Sequence, residues 1–190
     1  MIDVFTIGDL LGPEVCDRVI AGMRLAGGAP ATVYGKSEAG SVDPLTRKVT
    51  RVAVAAETAH SIERHLLDRK PEIENHFGVT LTEVEEPQFL HYRPGDYFVA
   101  HQDGNTPLVF DDTRFRKISI VAFLNEYSED EKLDTYSGGS LVLHGAFPNY
   151  DYRQPVANGA GTLAAFRSET THEVTPILRG ERFTIVSWFR

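Results

Sequence analysis

The sequence predicts a mainly β chain with flanking helices, an α+β fold whose strands close into a sandwich or barrel. Three observations predict it. Apolar residues recur at helical spacing only in the first half of the chain. From Pro87 onward the period falls to two. Turn pairs then punctuate the chain at short intervals: Pro94-Gly95, Gly138-Gly139, Asn158-Gly159 and Arg179-Gly180. With no internal repeat and no low-complexity linker, the 190 residues read as one domain, 1–190, in which 1–86 support a strand core at 87–190.

The elements follow in order. Pro13 comes after Gly12 and suits the first turn of a helix. Val15, Val19, Ile20 and Met23 then keep helical spacing until Gly27-Gly28 stops it. A second helix is expected over 54–69, with the stripe Ala55, Ala59, Ile62, Leu66 and with Pro71 just past its end. A short helical piece at 72–77 closes at Gly78. Strands are expected at 89–93, 97–102, 117–124, 139–144, 153–156, 162–167, 172–178 and 182–189. Short strands at this spacing argue for a sandwich or barrel, with the helices packed on one outer face.

Composition narrows the function classes. A hydrophobic fraction of 42% and a charged fraction of 24% are those of a globular protein. No apolar run is long enough for a transmembrane helix. The first residues lack a basic start and a cleavage site, so no signal peptide is expected. The single cysteine, Cys16, excludes an internal disulfide and fits a reducing cytoplasm. It falls on the first amphipathic helix and is expected to be a buried thiol. A formal net charge of −8 argues against a nucleic-acid ligand, which needs a basic face.

The chemistry concentrates in His101, Asp103 and His172. Residues i and i+2 of a strand point to one side, so His101 and Asp103 can reach one metal, with Gln102 turned away. His172 must come from another strand. Two imidazoles and a carboxylate leave several positions of an octahedral ion open, the ligand set of non-haem Fe(II) oxygenases. Taken alone, a His-x-Asp reads as surface polarity and a lone histidine as a hydrogen-bonded structural residue. The same trio also suits zinc, in a hydrolase or in a non-enzymatic jelly roll.

The register around these residues resembles a known family. Tyr92, Gly95, Phe98, His101 and Asp103 stand in the spacing of the first metal motif of the 2-oxoglutarate/Fe(II) dioxygenases of the prolyl 4-hydroxylase superfamily. Gly161, Phe166, His172, Val174, Gly180, Arg182 and Trp188 resemble its second. KISIVAFLN with SGGSLVLHG resembles the strand pair between them, and FTIGDLLGPEVCDRVI the leading helix. The resemblance implies a double-stranded β-helix, a distorted, cupin-like jelly roll. It implies Fe(II) on His101, Asp103 and His172, 2-oxoglutarate as co-substrate, O2, and ascorbate as an auxiliary. It implies that Arg182 binds the C5 carboxylate of 2-oxoglutarate and that Tyr92 lies in the co-substrate pocket, where a core aromatic is the other reading; Thr184, two residues after Arg182 on the same strand face, is placed to add its hydroxyl to the same carboxylate. The implied reaction hydroxylates an unactivated C–H bond and releases succinate and CO2. The carboxylate at Asp103 argues for hydroxylation over halogenation, since related halogenases keep a small residue there. Phe123 departs from the oxygen-sensing prolyl hydroxylases, which place a tyrosine ahead of the Leu-Asn pair. Phenylalanine cannot donate that bond.

His91 and His144 are expected to be structural or to support the ligands, and His60, His65 and His76 to be solvated. The acidic stretch 126–134 reads as a solvated loop, or as a loop at the barrel mouth that attracts a basic substrate. Residues 104–115 form a second candidate lid, and Arg116 and Lys117 are strand-edge charges within reach of a substrate. Two substrate classes stay open: a prolyl residue of a protein or peptide, and a free amino acid or other small metabolite.

Overall fold

The computed structural model of the chain describes residues 1–32, 43–104 and 111–190. In chain order the first half holds β1 (Val4–Ile7), α1 (Pro13–Leu25), β2 (Gly28–Pro30), β3 (Arg47–Lys48), β4 (Thr50–Val52) and α2 (Ala56–Phe77). The second half holds β5 (Gln88–Tyr92), β6 (Tyr97–His101), a 3-10 turn (Asp112–Phe115), β7 (Ile118–Phe123), β8 (Ser137–Gly138) and β9 (Leu141–His144). It ends with β10 (Arg153–Pro155), β11 (Leu163–Arg167), β12 (His172–Val174), β13 (Ile177–Arg179) and β14 (Arg182–Phe189). The major sheet runs β1-β11-β7-β14-β5-β4-β2 and the minor sheet β10-β9-β12-β6-β3, with β13-β8 as a small ribbon. Every named strand pair is antiparallel. The mainly β class with helices on one outer face is as expected.

The central strand shows why the class was readable. All six residues of β7 are buried, because the strand is covered on both faces. Ile118, Ile120, Ala122 and Leu124 join the core that also holds Cys16, Val19 and Met23 of α1 and Ile62, Leu66, Ile73 and Phe77 of α2. Val121 and Phe123 face the other way, into the space between the sheets, with Leu141, Leu143 and Phe166. Cys16 is a buried free thiol, as expected.

Two expectations fail for physical reasons. α2 runs unbroken through Pro71 to Phe77, where the sequence predicts a stop and a second piece. A proline forfeits one i to i−4 bond. Pro71 sits on the exposed side, opposite the buried Ile73 and Phe77, whose packing offsets that loss. Gly78 then ends the helix at φ +62, the left-handed cap a glycine adopts readily. The strand expected over 172–178 is two strands, β12 and β13, parted at Thr175-Pro176. Pro176 has no N–H for the ladder, and the chain leaves the minor sheet there to pair with β8.

Candidate active site

Three adjacent strands of the major sheet present alternate residues to one cavity between the sheets. Leu90 and Tyr92 of β5, Val121 of β7, and Arg182, Thr184, Val186 and Trp188 of β14 line it. The minor sheet closes the other side with Phe98 and His101 of β6, Leu141 of β9, and His172 and Val174 of β12. The register fixes what stands at each end. Arg182 lies opposite Tyr92, and Thr184 opposite Phe123, at one end. Trp188 lies opposite Ser119 at the other.

At the Ser119 end, His101, Asp103 and His172 converge. One ligand atom from each lies within 4.8 Å of the others. His101 and His172 are directly paired across β6 and β12. Each Nε2 is 3.5 Å from its own oxygen of Asp103. Each Nδ1 is turned to a backbone carbonyl two residues back, Val99 O at 2.8 Å and Thr170 O at 2.9 Å. A carbonyl only accepts, so each Nδ1 carries the hydrogen and each Nε2 offers its lone pair inward.

Asp103 is placed by a clasp rather than by a strand. β6 ends at His101, one residue short of the expected end, and Gln102 turns its amide to Glu169 O. The N–H groups of Asp103 and Gly104 both donate to Ser168 O. Ser119 Oγ, the one polar side chain in the β7 run, donates to Asp103 Oδ2 at 2.7 Å. Arg116 Nη1 donates to Asp103 O, while its other nitrogens grip Glu85 at 2.8 and 2.6 Å. The Arg116 guanidinium lies 3.7 Å over the Trp188 ring.

The electrostatics suit a cation. Burial acts to raise the Asp103 carboxyl, but His172 and His101 outweigh it and hold the group far below the usual carboxylate range. Burial and the neighbouring His101 push the His172 imidazole down to about 4, against the pull of Asp103. The ligand set at neutral pH is thus one carboxylate and a neutral His172, ready to bind a divalent ion.

At the other end Arg182 is almost wholly buried. Tyr92, Phe123 and Tyr136 form a box around its guanidinium, with ring centroids at 4.9, 5.4 and 6.0 Å. Its Nη1 reaches Thr184 Oγ1 at 3.4 Å, while Nε and Nη2 are buried with no partner among the described residues. Gly139, at φ +60, makes room for this side chain, since a Cβ there would press on Arg182 Cδ and run into Ile177. A buried guanidinium with free donors is a costly arrangement unless an anion completes it.

The structure gathers His101, Asp103, His172, Arg182, Tyr92 and Thr184 around one cavity. Phe123 sits in the Arg182 box, where it offers no hydrogen bond. The supporting histidines behave as expected. His91 is buried, bonded to Glu181 at 2.7 Å and stacked on Phe183, and His144 bonds Glu173. His60 and His76 are exposed and His65 is half-buried. The acidic stretch is a largely exposed loop, the first of its two expected readings. It leaves the Phe123 end of β7, the Arg182 end of the cavity, and Arg179 holds it by Ser128 O and Asp130 O. It does not flank the metal cluster. Of the candidate lid, 105–110 lie outside the described residues, and Asp111 and Thr113 line the cavity. Sequence reasoning missed Ser119, Ser168, Glu85, Tyr136 and Arg47. A lone serine inside the run ISIVAF was the available signal for Ser119, while the others depend on long-range pairing.

Comparison with known proteins agrees with this geometry. The profile of the 2OG-Fe(II) oxygenase superfamily matches residues 87–190. A PKHD-type hydroxylase of Paracoccus denitrificans is 30% identical over 190 residues, spanning 97% of this chain and 77% of that protein. A prolyl-4-hydroxylase from Pseudomonas putida has the same fold, with a TM-score of 0.72 at 23% identity, covering 98% of this chain and 91% of its own. So does a viral collagen prolyl hydroxylase from Paramecium bursaria Chlorella virus-1, solved with 2OG, with a TM-score of 0.65 at 20% identity over 98% and 95% of the two chains.

Proposed function

Because the chain belongs to the 2OG-Fe(II) oxygenase superfamily and is a prolyl 4-hydroxylase-like dioxygenase using Fe(II) and 2-oxoglutarate, we propose that His101, Asp103 and His172 hold the iron and that Arg182 holds the co-substrate. The observation that carries the reading is the pairing of a cluster of lone pairs at one end of a cavity with an uncompensated guanidinium at the other. The donor set fits Fe(II): two imidazoles and a carboxylate on one side, with the opposite side facing the cavity. The Arg182 box fits the C5 carboxylate. Its free Nε–H and Nη2–H form a planar fork that can accept a carboxylate bidentately. Tyr92 closes the box, and Thr184 adds its hydroxyl beside Nη1.

When bound, the iron and 2-oxoglutarate supply oxidative decarboxylation to succinate and CO2 and transfer of one oxygen atom into a C–H bond. The residues of the chain orient and protect. Val99 O and Thr170 O keep the two imidazoles in the ligating tautomer. Ser119 and Ser168 keep the Asp103 carboxylate aimed at both. Leu90, Val121, Leu141, Val174 and Val186 line the walls between the two ends and keep that space apolar. With Asp103 in place the outcome is hydroxylation, and the target is read as a prolyl residue of a protein or peptide or as a small amino acid. We place the chain as one domain over 1–190, in a reducing cytoplasm, with ascorbate as auxiliary reductant. Cys16 as a buried free thiol supports the compartment, and likeness to the family supports the ascorbate. No helix among the described residues is long and apolar enough to cross a membrane.

The test of the site is anaerobic. Fe(II) with 2-oxoglutarate should give a weak visible charge-transfer band. Succinate release in air, screened against prolyl peptides and free amino acids side by side, should then identify the substrate class. A protein that gives neither band nor succinate is not this enzyme.

A further inference from the structure

The cavity holds a cation that neither the metal cluster nor the Arg182 box uses. Arg47 stands on β3, opposite Phe98 of β6, and lines the cavity with Thr32. Its guanidinium lies 4.7 Å over the Phe98 ring, and that ring stacks on His101 at 3.5 Å. Nη1 donates to Thr32 O at 3.1 Å. Nε is buried and has no partner among the described residues. Burial lowers the basicity of the group, and Tyr92 and Asp103 only partly restore it. Arg47 has no carboxylate as ion-pair partner among the described residues, whereas Arg116, on the same cavity, has Glu85 in a two-point grip.

Charge balance shows what is missing. A divalent ion, Asp103, Arg182 and the dianion 2-oxoglutarate sum to zero. Arg116 is neutralised by Glu85. Asp111, the other acid on the cavity, spends its Oδ1 on Thr113 N and Oγ1, so Arg47 is a cation with no ion-pair partner among the described residues, one aromatic ring away from a metal ligand. A peptide carbonyl could satisfy its free N–H but would leave the buried charge uncompensated, which costs several kcal/mol in a water-poor site. A carboxylate satisfies both.

We propose that Arg47 binds a carboxylate carried by the primary substrate, close to the carbon that is hydroxylated. The proposal rests on the iron and 2-oxoglutarate reading above and narrows its substrate class to acids. Two sources present that group: the α-carboxylate of a free amino or imino acid, and an acidic side chain or C-terminus next to the target residue of a peptide. Phe98 serves as the platform that fixes the guanidinium plane, and Thr32 O as the clamp that sets its rotation.

The experiment measures binding without turnover. The full chain is loaded with Mn(II) and 2-oxoglutarate in the absence of oxygen. Calorimetry then compares the free amino acids, L-proline among them, with their amides. A second arm compares acetyl-Pro-Asp-amide with acetyl-Pro-Asn-amide, and acetyl-Ala-Pro with its amide. At least one acid should bind about tenfold more tightly than its uncharged twin, the loss expected for one charge-assisted contact. The arm in which it falls names the source. Arg47→Gln should abolish that discrimination and leave 2-oxoglutarate affinity unchanged, which also shows that the variant is folded. Arg47→Lys should keep part of it. Discrimination in no pair, or discrimination that survives Arg47→Gln, overturns the proposal. Failure of 2-oxoglutarate to bind the Mn(II) protein is a different result, and it overturns the underlying reading as well.

Discussion

The two ends of the cavity are built on opposite rules. At the metal end each ligand is held by a second bond: His101 by Val99 O, His172 by Thr170 O, and Asp103 by Ser119 and the Ser168 carbonyl. At the far end Arg182 has one long contact to Thr184 and two nitrogens with no partner among the described residues. The first end is complete in its support and needs only an ion. The second is complete only when an anion arrives. The difference separates what each end contributes. At the metal end the bonds behind the ligands hold them in the binding geometry before any ion arrives. The arginine end stores an uncompensated charge that ligand binding relieves.

Loss of a ligand should break this contrast most completely. His172→Ala removes one of three lone pairs and opens the pairing with His101. The anaerobic band of Fe(II) with 2-oxoglutarate should vanish, and succinate formation with it. A band that persists in His172→Ala would move the metal to other residues. Loosening the support behind the ligands comes next. Ser119→Ala frees Asp103 Oδ2, and Glu85→Gln weakens the grip on Arg116, which holds the Asp103 carbonyl. Each should weaken Co(II) or Mn(II) binding by about 10–100-fold, the usual effect of such partners. Titration with either ion reads this without turnover. Unchanged affinity in both variants would show that the two backbone bonds to Ser168 suffice.

At the far end Arg182→Ala should leave metal binding alone and raise the KM for 2-oxoglutarate by about an order of magnitude or more, since a charge-assisted contact is worth about 1.5–3 kcal/mol. Thr184→Val should do less, because its hydroxyl meets Nη1 only at 3.4 Å. Equal effects from the two variants would place the carboxylate on the hydroxyl instead.

How much of this was legible in the sequence depends on whether a feature is local. β14 was read at its true bounds, since Arg182, Thr184, Val186 and Trp188 alternate with Phe183 and Ile185 along one strand. Strand spacing joins only His101 and Asp103, and His172 and Arg182 were read from the register that they share with the family's second motif. The clasp on Asp103 was not legible. Ser168 reaches it only because the turn from β11 to β12 passes the end of β6, which no window of sequence shows. Arg47 escaped for a similar reason. β3 is two residues long and β4 three, too short for periodicity to register. Their place is fixed by ladders to β6 and β5 rather than by their own pattern. Pro71 misled because its helix-breaking tendency is local, whereas the burial of Ile73 and Phe77 that overrides it is tertiary.

The smallest expected effect is the sharpest test of the contrast, because its sign is unusual. Most substitutions of a fully buried side chain destabilise a fold. Arg182→Met removes a charge that the ligand-free protein leaves uncompensated, and puts an apolar chain among Tyr92, Phe123 and Tyr136. Swapping buried charged groups for apolar ones of similar size is often neutral or stabilising. The ligand-free variant should therefore unfold at or above the wild-type midpoint, by about 2–4 °C if the gain is about 1 kcal/mol. Addition of Mn(II) and 2-oxoglutarate should then reverse the order. The wild type gains stability from a ligand that binds only the folded state, and the variant gains from the metal alone. A ligand-free Arg182→Met protein that melts well below the wild type would make Arg182 part of the scaffold, and the two ends of the cavity would then be built on the same rule.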